Sequence, residues 1–256
     1  MGFIDLDEMI PASQGTDTAG NPRQFFQLVI TIEPLQIEVS LFLRPDIHPG
    51  RYDVSRFIEV WRKLAKENGI GDIFFVAHCK PTSTKHRRPD GTIERVLPNL
   101  NSSAEVYTDL LKLGFDALNP NGTPLAEMRY SGKYIRLIRA TLQKYLPWLP
   151  ASKFDYAKVM PYYYAAEDEW ENIFPSIMPQ WDRSPRSGIT NGIYVNSTPA
   201  NFKKHVLHAL TLLEKKQPEH RILFLRSWNE WAEGNYVEPD LKYGHGFLQA
   251  LREALS

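Results

Sequence analysis

Two glutamates near the end of the chain have the type and spacing that acid–base chemistry on a sugar requires. Glu230 and Glu233 lie three residues apart and are flanked by Trp228 and Trp231. If the chain turns helically there, the two carboxylates share one face, with Cβ atoms about 5–6 Å apart. Carboxyl groups at such a separation can flank one glycosidic bond and divide the acid and base roles. Apolar walls formed by the tryptophans would raise the pKa of one carboxyl group and keep it protonated as the acid.

The alternative for this pair is a solvated helix surface, because a Glu-x-x-Glu pattern also arises there by chance. Two features favour catalysis. The segment directly follows a predicted strand that ends at Leu225, and the two tryptophans offer flat rings that can pack against a sugar. Gly234 would allow a tight turn beside the substrate.

The elements that must position these residues alternate between strands and helices, which predicts parallel βα units. In a (β/α)8 barrel the loops after the strands form the active-site face. Five or six strands can be identified, so we predict an α/β, TIM-barrel-like (β/α)8 fold that is incomplete, with N-terminal strands missing or divergent. The predicted strands are Phe25–Ile32, Ile37–Leu43, Asp72–His78, Phe115–Leu118, Phe154–Met160 and Arg221–Leu225. Helices are predicted after Ser55, after a Ser102/Glu105 capping box, over Lys133–Tyr145, after Thr198 and at the C-terminus.

Composition narrows the class of protein. The 256 residues carry 30 basic and 30 acidic side chains, so no overall charge favours nucleic acid as a partner. The single cysteine excludes an intrachain disulfide and a cysteine-rich zinc site. No apolar run approaches the ~20 residues that span a bilayer, and acidic residues stand where a signal peptide needs basic ones. We therefore expect a cytoplasmic protein without a transmembrane segment, and we predict neither a cofactor nor a metal, since no phosphate-binding glycine loop is present.

Three other sequence patterns have a structural interpretation beside a functional one. His205 and His208 are spaced for a metal pair on a helix, but a third ligand is not evident and a solvated helix face is expected. The run Tyr162, Tyr163 and Tyr164 could form a stacking platform, although core packing is the preferred interpretation. Trp181 and Asp182, with Arg183 and Arg186, are equally consistent with lining a pocket and with a surface loop. These four residues lie in a long aromatic segment, 161–196.

The motif Trp228–Gly234, followed by Glu238-Pro239-Asp240 and Tyr243-Gly244, resembles the signature of the WbsX-type glycosyltransferases of bacterial lipopolysaccharide and O-antigen biosynthesis. That domain is similar to the family 99 glycoside hydrolases, the endo-α-mannosidases, which are (β/α)8 barrels. The resemblance covers about residues 40–256. Supporting stretches are Leu41–Pro45, Trp61–Ala65 with Gly69-Ile70, Gly114–Ala117, Phe174–Asp182 and Asn196–Phe202.

The resemblance implies roles for individual residues. Glu230 would be the base that removes the proton from the sugar 2-hydroxyl, whose oxygen then attacks the anomeric carbon to form an anhydro-sugar. Glu233 would be the acid that protonates the leaving oxygen. Asn229 would bind the sugar, and Glu238 would be a further polar contact or a support for the site. The remaining candidates for substrate binding are Trp228, Trp231, Trp181, Asp182 and Tyr243.

Family members carry an N-terminal half that is not recognisable here. We therefore divide the chain into an irregular, unmatched segment, 1–35, and the C-terminal part of a barrel domain, 36–256. The expected partners are an oligosaccharide or a sugar donor and acceptor, with peripheral association with the polysaccharide assembly machinery. Transfer and retaining hydrolysis both remain open. The alternative is a catalytically inactive remnant that binds a glycan or a partner protein.

Overall fold

The computed structural model describes residues 28–33, 36–41, 54–82, 85–87, 93–95, 99–146, 149–187 and 192–256. The described strands are β1 (Leu28–Glu33), β2 (Gln36–Leu41), β3 (Val76–Cys79), β4 (Lys85–Arg87), β5 (Ile93–Arg95), β6 (Ala117–Pro120), β7 (Lys153–Asp155), β8 (Ser176–Ile177), β9 (Ile193–Val195), β10 (Phe224–Leu225), β11 (Asn229–Glu230) and β12 (Asn235–Tyr236). The described α-helices are α1 (Val54–Glu67), α2 (Ala104–Leu111), α3 (Thr123–Ser131), α4 (Lys133–Tyr145), α5 (Tyr156–Val159), α6 (Ser184–Ser187), α7 (Pro199–Leu213) and α8 (Gly246–Leu255). The predicted segment 1–35 lies largely outside the described residues.

Parallel pairing joins the strands that carry the predicted βα units. The pairs β3–β6, β7–β9 and β8–β10 are parallel, whereas β1–β2, β4–β5 and β11–β12 are antiparallel. A parallel bridge between Leu118 and Ile173 connects β6 to the segment just before β8. The fold is therefore a mixed α/β fold with parallel crossovers, as predicted. The described ranges contain no closed eight-stranded barrel.

Two predicted strands are shorter than expected, for local reasons. The run Phe154–Met160 leaves the strand at Asp155, because that side chain accepts a hydrogen bond from the Lys158 backbone N–H (3.3 Å) and begins α5. The run Arg221–Leu225 contributes only β10. Its first residues turn instead of pairing, since the Ile222 N–H donates to the His220 carbonyl at 2.9 Å.

The predicted capping box at α2 is wrong. Ser103, not Ser102, is the N-cap residue, and its side chain makes no capping hydrogen bond. The Ser102 hydroxyl donates to the Glu167 carboxylate, which also accepts from the Ser103 backbone N–H at 3.0 Å. A carboxylate from the 3-10 turn Ala166–Glu169 therefore accepts the N-cap hydrogen bond that the capping box predicted for Glu105. By contrast, α4 has the predicted bounds, and α7 begins with the predicted Thr198 cap (3.3 Å to the Asn201 N–H).

Tyrosines fill much of the larger core, between α3, α5, α7 and α8. Tyr156, Tyr163 and Tyr164 are buried there, so the core interpretation of the tyrosine run is confirmed for two of its three members; Tyr162 is exposed. Nearby, Asp168 accepts a 2.6 Å hydrogen bond from the Tyr107 hydroxyl, and burial raises the pKa of Asp168 to about 6. Tyr107 belongs to the smaller core around Phe75 and Leu118, where its hydroxyl and the Asp168 carboxyl group satisfy each other.

His205 lies in the middle of this tyrosine cluster, and the expected solvated helix face is wrong for it. The imidazole is buried, stacks on Tyr164 (centroids 5.4 Å apart) and meets the edges of Tyr156 and Tyr163. Its two nitrogens have no hydrogen-bond partner among the described residues. Burial, together with the neighbouring His208, lowers the pKa of His205 to about 3, so the ring is neutral at pH 7.

We predict that His205→Phe flattens the acid sensitivity of folding. An unfolded histidine titrates near pH 6.5, whereas the folded ring titrates near 3, so the wild type loses stability as pH falls from 6.5 towards 3. Between pH 7.5 and 5.0 the free energy of unfolding of the wild type should fall by about 2 kcal/mol relative to the variant. Urea denaturation of both proteins at the two pH values measures this difference.

Comparison with the variant is needed because Asp168 acts in the opposite direction. Its folded pKa lies above the unfolded value, so its contribution to stability grows as pH falls through 6. Asp168 is common to both proteins and cancels in the difference. Identical pH dependence in the two proteins would show that His205 is not held neutral by burial.

Candidate active site

The motif that carries the two glutamates forms a β-hairpin instead of the expected helix. After β10, the Arg226 N–H donates to the Ile177 carbonyl at 2.9 Å and keeps the chain beside β8. β11 then pairs with β12, with Glu230 opposite Asn235, and a 3-10 turn over Trp231–Glu233 connects them. Glu230 precedes the turn and Glu233 ends it, so the two glutamates stand at the two ends of one 3-10 turn and not on an α-helix. The antiparallel pairing on either side of the turn explains the difference, because it holds Glu230 in a strand.

The turn ends on Gly234, which adopts a left-handed conformation with φ of +52°. A Cβ atom added there would lie 3.1 Å from both the Cβ and the N atom of Asp182. The Asp182 N–H in turn donates to the Glu233 carbonyl at 2.9 Å. Two independent reasons therefore favour glycine at position 234: the positive φ angle and the close approach of the loop after β8.

Glu233 is anchored at its side chain as well as at its backbone. Arg183 Nε lies 2.9 Å from Glu233 Oε1, and the Glu233 side chain is 14% exposed. The neighbouring Asp182 side chain accepts hydrogen bonds from the backbone N–H and the hydroxyl of Ser184, at 2.9 and 2.5 Å, which fixes the loop that carries Arg183. The structure thus brings Asp182, Arg183 and Glu233 together.

Trp231, Tyr236 and Glu238 form a second group on the same hairpin, which we call the aromatic shelf. The rings of Trp231 and Tyr236 are stacked, with centroids 3.6 Å apart and planes 16° from parallel. The Trp231 indole N–H donates to Glu238 Oε2 at 2.7 Å. Glu238 therefore contacts the shelf itself. Tyr236 was not identified by the sequence analysis, although its place opposite Asn229 follows from the hairpin register.

Two expectations about the tryptophans need correction. Trp228 and Trp231 are 52% and 48% exposed, so they do not enclose the glutamates in an apolar wall. Trp181 is 9% exposed and belongs to the core, where the Arg226 guanidinium lies 4.9 Å from its ring centre. Trp181 therefore supports the site from beneath instead of presenting a free face.

The remaining candidates lie around the hairpin. Asn229 is exposed on β11, and Tyr243 is half-buried with its ring edge-on to Phe247. Asp240 accepts hydrogen bonds from the backbone N–H groups of Lys242 and Tyr243, which folds the following turn. Partial burial, with the nearby Asp240 carboxylate as a second cause, raises the pKa of Tyr236. Its hydroxyl therefore stays protonated and donates to Asp240 at 3.3 Å.

Neither metal ligands nor a membrane span are found in the described part of the chain. No group of three or more His, Cys, Asp or Glu side chains there could hold a metal ion. None of the described helices has the length and apolarity needed to cross a bilayer.

The amino-acid sequence that forms this hairpin matches a known protein family. The model of the family described as "Glycosyltransferase WbsX" matches residues 40–251, which include the whole hairpin. The chain belongs to the WbsX glycosyltransferase family. The expected resemblance is thereby confirmed, and it supports a carbohydrate-active role for this WbsX-family chain.

Two curated relatives and a solved structure are also similar to parts of this chain. The "Uncharacterized protein WxcX" of Xanthomonas campestris pv. campestris, from strains B100 and ATCC 33913, is 34% identical over 85 residues, 33% of this chain. The chain spans only 12% of the length of those relatives. A solved "Glycoside hydrolase-like protein" is similar over 85% of this chain and 54% of its own, with 15% identity and a TM-score of 0.47.

The close contact at Gly234 yields a prediction with a matched control. Gly234→Ala should lower the free energy of unfolding by more than Gly244→Ala. Gly244 has nearly the same φ, +53°, but no atom within 4 Å of an added Cβ. Left-handed strain alone costs about 1–2 kcal/mol, and only Gly234→Ala also pushes against Asp182. Chemical denaturation of the two variants measures the difference, and equal losses would show that the loop after β8 does not press on the turn.

Proposed function

We propose that this WbsX-family chain acts on glycosidic bonds of bacterial cell-surface polysaccharide, with Glu230 as base and Glu233 as acid. The observation that carries the proposal is the hairpin itself. Glu230 and Glu233 lie at the two ends of one turn, on the same hairpin as the stacked rings of Trp231 and Tyr236, and this arrangement supports the proposed roles. The family match over residues 40–251 supports the carbohydrate substrate class.

The proposed reaction proceeds in two steps. Glu230 takes the proton of the sugar 2-hydroxyl, and the freed oxygen forms a bond to the anomeric carbon. The bond from that carbon to the leaving oxygen breaks, and Glu233 gives its proton to the leaving oxygen. In the second step an acceptor hydroxyl loses its proton to Glu233 and attacks the anomeric carbon from the vacated side. The bond to the 2-oxygen then breaks, and Glu230 returns the proton to it. Each step inverts the configuration at the anomeric carbon, so the final product retains the configuration of the starting bond.

The Arg183 side chain lies against Glu233, the proposed acid, and must move before Glu233 can act. In the proposed first step the leaving oxygen must reach the Glu233 carboxylate, and Arg183 Nε already lies 2.9 Å from Glu233 Oε1. We propose that the sugar displaces Arg183 from Glu233 on binding. The Arg183 side chain is 36% exposed, so it has room to move towards solvent.

The nature of the acceptor separates a hydrolase from a transferase. Water as the acceptor gives hydrolysis, and a sugar hydroxyl gives transfer, with the same two glutamates and the same intermediate. Because the motif tryptophans are half exposed, a binding module without turnover is the second candidate function. A hydrolase shortens the polysaccharide, a transferase extends it and a binding module leaves it unchanged, so one experiment distinguishes the three functions.

We predict that Glu230→Gln and Glu233→Gln each lower turnover roughly 10²–10⁴-fold without loss of folding. This is the range that general acid–base catalysis contributes. The assay incubates each protein with purified bacterial O-antigen polysaccharides and measures shortened or extended chains by mass spectrometry. Circular dichroism and the free energy of unfolding report on folding.

Glu253→Gln is the matched control, because Glu253 is an exposed glutamate on α8 whose partner is the surface residue Lys203 at 2.8 Å. This variant should retain wild-type turnover. Full activity in either hairpin variant would remove that glutamate from the mechanism. Polysaccharide binding by the wild type without any product would favour the binding module.

A further inference from the structure

The aromatic shelf has one covered and one open side. Tyr236 stacks on Trp231 at 3.6 Å and covers one face of the indole, yet Trp231 remains 48% exposed. The exposed area must therefore lie largely on the opposite face and the ring edge. The only polar atom of the indole, Nε1, already donates to Glu238 Oε2. A ligand on this ring thus meets a flat apolar surface, because the indole N–H is already used.

We propose that the open face of Trp231 is a stacking subsite for a neutral pyranose ring, and that Glu238 is a positioning residue that fixes the orientation of this face. The inference rests on the proposed function, since it names the sugar class that the site near Glu230 and Glu233 accepts.

Electrostatics of the hairpin favour a neutral sugar over a nucleotide. An aromatic face can stack on a nucleobase as well as on a sugar. However, the segment 228–240 carries four carboxylates and no basic side chain. Glu233 is paired with Arg183, and the other three carboxylates, Glu230, Glu238 and Asp240, repel phosphate groups. The C–H groups of a pyranose, by contrast, carry small positive charges that suit the negative face of an indole.

Glu238 restrains the Trp231 ring, and the affinity for a sugar measures the effect of that restraint. An exposed tryptophan has two rotatable side-chain bonds, and each conformation that binding must exclude lowers affinity. The charge-assisted hydrogen bond from Nε1 and the stack on Tyr236 remove that freedom before the sugar arrives. Glutamine at position 238 keeps an oxygen that can accept from the indole N–H, whereas alanine does not.

The experiment measures binding and ring orientation separately. A printed array of neutral O-antigen polysaccharides identifies a bound polysaccharide, and calorimetry on the Glu230→Gln background, where turnover is suppressed, gives its affinity. Trp231→Ala should weaken binding roughly tenfold or more. Glu238→Ala should weaken it several-fold, and Glu238→Gln should restore most of the loss. Trp61→Ala is the matched control, because Trp61 is also 48% exposed but lies on α1, and it should bind as the parent does.

Ring orientation is read from the indole N–H resonance of Trp231 in ¹H–¹⁵N spectra, assigned by its absence in Trp231→Phe. The resonance should move in Glu238→Ala, return towards its place in Glu238→Gln, and shift on addition of the polysaccharide. The inference is overturned if the array retains no polysaccharide, if Trp231→Ala binds as well as the parent, or if Glu238→Ala leaves both the resonance and the affinity unchanged.

Different results would contradict the proposed function and the stacking subsite. If Trp231→Ala loses binding while Glu230→Gln retains full turnover, the subsite stands and the assignment of Glu230 does not. If the glutamate variants lose turnover while Trp231→Ala keeps its affinity, the catalytic pair stands and the subsite does not.

Discussion

The close approach between Gly234 and Asp182 is the contact on which the candidate site depends. Gly234 must lack a side chain, because a Cβ there would press on Asp182 at 3.1 Å. The same approach lets the Asp182 N–H reach the Glu233 carbonyl and brings Arg183 to the Glu233 side chain. Backbone and side chain of Glu233 are thus both fixed by one loop, which comes from a different strand of the fold.

The parallel pair β8–β10 makes that approach possible. Phe224 and Leu225 run beside Ser176 and Ile177, so the chain segments that follow both strands emerge at the same edge. One segment becomes the loop with Asp182, and the other becomes the hairpin with Glu230. Beneath them, Trp181 packs in the core under the Arg226 guanidinium. Placement of function after the carboxyl ends of parallel strands is a general property of α/β folds.

The sequence pattern singled out Glu230 and Glu233 as candidates, but the helix that it suggested for them is a hairpin in the structure. The spacing of Glu230 and Glu233 fits a helix, and only the pairing of β11 with β12 shows that the first glutamate is held in a strand. Long amphipathic helices such as α4 and α7 were predictable because their periodicity extends over several turns. Strands of two residues, such as β8 and β12, carry no periodicity of their own, and their pairing partners define them. The sequence pattern of α7 also could not predict that His205 is buried, because the three tyrosines that cover it lie outside this helix.

Stereochemistry tests the central claim most directly, because the Glu230–Glu233 pair is proposed to act through attack by the sugar's own 2-oxygen. The measurement is the anomeric configuration of the first product, followed by ¹H NMR immediately after the protein is mixed with a polysaccharide that it processes. Two successive inversions predict a product that retains the configuration of the starting bond. A first-formed product of inverted configuration would contradict the account, because it requires direct attack by the acceptor and leaves no role for the 2-oxygen.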